Sequence, residues 1–92
     1  VSDYRHEYLA DALYDVKLEG LRARDKFGDQ FDATDLEWLA ILTEELGEVA
    51  MEVTKNCVRP LTQTFGYLDR LRAEVIQVAA VAARWVEAID RK

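Results

Sequence analysis

The sequence holds one cysteine, one proline and four glycines in 92 residues, and each shortage removes a class of protein. A lone thiol, Cys57, cannot bridge to another, so the disulfide frameworks of small secreted domains are excluded and the reducing cytoplasm is the expected location. With so few chain breakers there is no room for a linker or a low-complexity segment, and residues 1–92 read as one domain. Long apolar runs are missing too. The most apolar window, Val75 to Val86, is interrupted by Gln77 and Arg84 and is too short to span a bilayer, so no membrane association is expected. The polar start, Val1 to Arg5, does not read as a signal peptide. Positive charge is also scarce, with 12 Lys and Arg against 18 Asp and Glu and a net charge of −6. Such a surface opposes the backbone of DNA or RNA, so a small phosphate-bearing substrate would be expected to arrive with a metal ion.

What the chain does have is helical periodicity. Leu9, Leu13, Val16, Gly20, Ala23 and Phe27 recur at steps of four and three, which predicts a helix from about Asp3 to Phe27. Arg22, Arg24 and Lys26 complement the negative end of its dipole, and Gly28 suits a left-handed stop. Thr34-Asp35-Leu36-Glu37 is a capping box that starts a second helix, whose stripe is Leu39, Leu42, Leu46, Val49 and Val53. Asn56 to Pro60 breaks that pattern, since proline pushes Arg59 out of helical geometry. The third helix is predicted to begin between Thr64 and Leu68 and to carry Leu68, Leu71, Val75, Val78, Ala82, Trp85 and Ile89. Its other apolar residues, among them Ile76, Ala80 and Val86, surround most of its circumference and need a cover. With no alternating β-branched runs the expected fold is all-α: three long helices per chain, assembling through a four-helix-bundle core in a homodimer or homotetramer.

On a helical wheel Glu45 and Glu48 fall on the shoulder of the second helix's stripe, and Glu74 and Gln77 take the same two positions on the third. Antiparallel packing can then bring Glu45, Glu48 and Glu74 together at the edge of an apolar core, where unrelieved carboxylates repel and lose hydration. A hard dication relieves both costs, and oxygen donors suit Mg²⁺ or Mn²⁺. His6 and Cys57 are too few for structural zinc, and the Glu-x-x-His pairs of di-iron bundles are missing. The same acids, with Glu37, Glu44 and Glu52, also fit a plain solvated helix face.

The run Glu44-Glu45-Leu46-Gly47-Glu48-Val49 resembles the Glu-Glu-x-x-Glu signature of the all-α nucleoside triphosphate pyrophosphohydrolases, the MazG-like superfamily. The segments Trp38 to Val49 and Arg72 to Ala82 are similar to one MazG-like subgroup, and Asp25 to Gln30 looks like its basic-aromatic-glycine element. The resemblance covers roughly residues 20 to 90. It implies Mg²⁺-dependent cleavage of a nucleoside triphosphate between the α- and β-phosphates, giving monophosphate and pyrophosphate, often to clean the nucleotide pool. Carried over, the metal ligands are Glu45, Glu48, Glu74 and Gln77, the last standing where aspartate is common and offering only a neutral carbonyl oxygen. Metal ions there would neutralise the triphosphate and acidify a water, with Glu44 or Glu52 as proton acceptor.

Lys26 is the first choice for a phosphate contact, with Lys55 and Arg59 behind it, and Trp38 is a candidate for stacking on the base or for core packing. Because Gln77 removes a charge, two other readings stay open: a catalytically weakened module that binds nucleotide or protein, and a purely structural helical oligomer.

Overall fold

A computed structural model describes the backbone of residues 2–58 and 66–92, with side chains from residue 6 to 57 and from 66 on. It contains three helices, α1 (Ser2–Phe27), α2 (Asp35–Val58) and α3 (Tyr67–Asp90), and no strand among the described residues. The punctuation follows the sequence chemistry. Gly28 adopts a φ of 80° and donates its N–H to the Arg24 carbonyl at 2.8 Å, closing α1 in the left-handed region that costs glycine nothing. The capping box forms in both directions: Thr34 N–H donates to Glu37 Oε1 at 2.9 Å, and Glu37 N–H to Thr34 Oγ1 at 3.1 Å. These bonds hold the Glu37 carboxyl below the usual range. Helix α2 continues through Asn56 to Val58, because the helical backbone needs no break until the residue before proline, and the candidate Arg59 with Pro60 lies outside the described residues.

Helix α3 is the middle element and packs against both others, while among the described residues α1 and α2 do not pack on each other. Arg72 pairs with Asp15, and Arg24 with Glu87, so α1 and α3 run in the same direction. Arg70 reaches Glu52 while Trp85 Nε1 donates to Asp35 at 3.1 Å, so α2 and α3 are antiparallel. The core is small: Trp38, Val81 and Ala88 are buried, with Phe31, Ala33, Ile41, Leu42 and Trp85 packed around them.

The faces that make this core differ from the predicted stripes. In α2 the inward side is Trp38, Ile41, Leu42, Glu45 and Val49, whereas Leu39, Leu46 and Val53 are exposed. In α3 the buried residues are Ala80, Val81, Arg84 and Ala88, and Leu68, Val75 and Ile89 face out. The physical reason is geometric. A helix with two neighbours buries the sector between them, and here that sector is centred roughly 180° from Leu68 on the wheel, where Gln77 and Arg84 lie. The outer half of each apolar stripe stays open, as do Leu9, Leu13 and Phe27 of α1. No helix among the described residues is long and apolar enough to cross a membrane.

Candidate metal centre and the groove beside it

Rotating α2 and α3 onto these faces carries Glu45 and Glu74 inward and leaves Glu48 exposed at the rim. Ligand oxygens of Glu45, Glu48 and Glu74 lie within 4.8 Å of one another, two from successive turns of α2 and one from the facing turn of α3. Glu45 Oε2 and Glu74 Oε2 are buried and accept no hydrogen bond. Burial first, and then the charges of Glu48, Glu74 and Glu44, push the Glu45 carboxyl above the ordinary carboxylate range. Burial followed by Glu48 and Glu52 does the same to Glu74. Oxygens orphaned in this way fit a hard divalent cation, which supplies the missing partner and cancels the repulsion together.

Next to Glu45 a groove of about 420 Å³ opens between the helices. Glu44, Glu45 and Gln77 line one part of it and Lys26, Gln30 and Arg84 another, over an apolar floor that includes Ile41 and Val81. Gln77 is half-buried beside the acids, and Glu44 is exposed on the groove wall. Lys26 borders the groove while its ammonium also lies 5.1 Å from the Phe27 ring.

No family model matches the sequence, and no curated protein or solved structure matches it. The geometry therefore has to speak for the site, and it separates the candidates. Glu45, Glu48 and Glu74 converge, and Gln77, Glu44 and Lys26 join Glu45 along the groove. Glu52 is engaged instead: its Oε1 accepts from Arg70 Nε at 2.8 Å, and it does not line the groove. Trp38 is fully enclosed, so it packs in the core and cannot stack on a base. Lys55 is exposed near the end of α2 and does not line the groove.

One residue escaped the sequence reading. Arg84 is buried, with 7% of its surface exposed, and its guanidinium lies over the Trp38 ring at 5.4 Å. Its Nη2 donates to the Gly28 carbonyl at 3.0 Å and to Gln30 Oε1 at 2.8 Å, both neutral acceptors. Its Nε is buried without a partner. Burial, and next the nearby Arg24 guanidinium, lower its pKa, against a partial pull from Glu87 and Asp29. The signal for it was present in the sequence: Gln77 and Arg84 alone interrupt the apolar window, and seven residues place them two turns apart on one face.

Proposed function

We propose that the chain is a metal-dependent nucleoside triphosphate pyrophosphohydrolase of the MazG-like kind, cleaving between the α- and β-phosphates in nucleotide-pool clearance in the cytoplasm. The observation that carries this reading is the pair of orphaned carboxylate oxygens at the three-glutamate cluster, one of whose members, Glu45, also lines a groove of about 420 Å³. Glu45, Glu48 and Glu74 would hold Mg²⁺ or Mn²⁺, with the Gln77 carbonyl oxygen as a neutral fourth donor. Bound there, the ion supplies charge neutralisation and a more acidic water. The protein's own groups do the rest. Glu44, exposed on the groove wall, takes a proton from the attacking water on a carboxylate oxygen, and Lys26 steadies phosphate oxygens. Water adds at the α-phosphorus and pyrophosphate departs, so one nucleotide gives one monophosphate.

The proposal includes a homodimer or homotetramer joined through a four-helix core. Supporting it are the outward Leu39, Leu46 and Val53 of α2 and Leu68, Val75 and Ile89 of α3, two apolar half-stripes that a single chain leaves wet. Sedimentation equilibrium is expected to show a dimer or larger, and a monomer at micromolar concentration refutes the assembly.

A panel of canonical and modified nucleoside triphosphates with Mg²⁺ or Mn²⁺ is expected to yield monophosphate and pyrophosphate. Orthophosphate as first product, or no turnover on the whole panel, overturns the hydrolase. A second reading has a specific observation behind it: Gln77 contributes no charge beside Glu45, which favours a weakened, nucleotide-binding relative. Gln77→Asp is expected to tighten Mg²⁺ binding under either reading, and nucleotide binding without turnover selects the second.

A further inference from the structure

The groove is polarised. Its acidic lining, Glu44 and Glu45, reaches the metal cluster through Glu45; Glu19 and Arg22 on its wall pair with each other, and the two remaining cations, Arg84 and Lys26, form no ion pair with any described residue. Every other arginine with a described side chain has a carboxylate within 4.0 Å. A guanidinium taken out of water and hydrogen-bonded only to a carbonyl and an amide oxygen, with Glu87 and Asp29 acting on it without direct contact, has its charge only partly answered, and that costs free energy that a bound anion would recover. The stem is fixed as well: Trp38 lies beneath the guanidinium, and the Arg84 side chain passes Gly20 of α1, where an added Cβ would sit 3.9 Å from its Cγ. Immobilised in this way, the fork has little rotamer entropy left to lose on binding.

Spacing says what kind of anion fits. Gln77 and Arg84 are seven residues apart, about 10 Å along α3. A single phosphate would touch one part of the groove and leave the other empty, whereas a chain of phosphates, gripped by the metal cluster at one end, can reach the cations at the other.

We propose that this groove is a polyphosphate tray, in which Arg84 is the buried anchor and Lys26 its exposed partner for the phosphates farthest from the carboxylates. Resting on the hydrolase reading above, these are the two phosphates that leave as pyrophosphate, so the tray selects nucleoside triphosphates over diphosphates and monophosphates. Arg84 and Lys26 then stabilise charge that accumulates on the departing group.

The test is calorimetric titration of the full chain with inorganic tripolyphosphate and with orthophosphate, with Mg²⁺ present and again in chelator. Wild type is expected to bind tripolyphosphate at least about 10-fold more tightly than orthophosphate. Arg84→Gln should weaken tripolyphosphate about 10-fold or more in both buffers, and Lys26→Gln about 3-fold, while Mg²⁺ uptake by both variants stays unchanged. A folded Arg84→Gln that binds tripolyphosphate as wild type does, or a wild type that prefers neither anion, overturns the tray. If Arg84→Gln fails to fold because the Gly28 contact is lost, exposed Lys26→Gln decides: unchanged binding overturns the proposal and the 3-fold loss supports it. The two readings also fail separately. Arg84-dependent tripolyphosphate binding without nucleotide turnover keeps the tray and removes the hydrolase, whereas turnover untouched by either variant keeps the hydrolase and removes the tray.

Discussion

The two ends of the α2–α3 pair are built on opposite principles. At the end near the α1–α2 connection the caps and most charges are paired, since the capping box closes on itself, Trp85 Nε1 meets Asp35, and Arg24 meets Glu87; the buried groups left bare there, Arg24 Nε, Trp38 Nε1 and Arg84 Nε, are all N–H donors. At the carboxylate end, three glutamates crowd together with two oxygens buried and bare. Bare donors at the first end suit an anion and bare carboxylates at the second suit a cation, and each raises the free energy of the fold. A domain with stability of only about 5–15 kcal/mol keeps such a cost where a ligand removes it, so the contrast itself marks the place where binding is expected.

Trp38→Ala attacks the end near the α1–α2 connection at its centre and has the largest expected effect. Removing a fully enclosed tryptophan should cost about 3–5 kcal/mol and release the Arg84 guanidinium it supports, read as a shift in the urea midpoint. Loss below about 1 kcal/mol would mean the core lies elsewhere.

At the other end the contrast predicts lost function with the fold retained. Glu45→Gln and Glu48→Gln should each lower turnover about 100-fold or more, because a metal's contribution to the transition state is worth several kcal/mol, with helicity by circular dichroism unchanged. Full activity in both would detach the cluster from the chemistry.

Thr34→Ala removes one half of the capping box and should destabilise by about 1 kcal/mol, with no change in Mg²⁺ affinity. A change in affinity would show that the two ends are coupled.

The smallest effect is a pH dependence. The Glu45 and Glu74 carboxyls are raised, so over the range from the ordinary carboxylate value up to their folded values the native state binds more protons than the unfolded one. Stability from this source is therefore present at the acidic side and falls as pH rises through that window. In metal-free protein, the melting temperature of wild type relative to Glu45→Gln should decline as pH rises above the ordinary carboxylate range, by a small amount for so partly exposed a group. Mg²⁺ should reverse the decline, and a flat difference with or without Mg²⁺ would remove the strain assigned to this end.

Much of this was legible in the residues. Gly28, the capping box at Thr34 and the 3.6-residue periodicity act within a turn or two of chain, so the three helices and two of their boundaries follow from local chemistry alone. The convergence of Glu45, Glu48 and Glu74 was readable for a related reason, since matching registers on two antiparallel helices place equivalent shoulders opposite each other. What local pattern could not supply was which sector of α3 faces two neighbours at once. That depends on where α1 lies, and it turned Val75 and Leu68 outward and Arg84 inward. Nor could spacing show that Arg70 occupies Glu52 or that Trp38 is sealed from any base. Hydrogen bonds along the chain and the period of the apolar residues were enough to make the helices; the choice of buried face, and with it the unpaired arginine in the groove, came from packing one helix between two others.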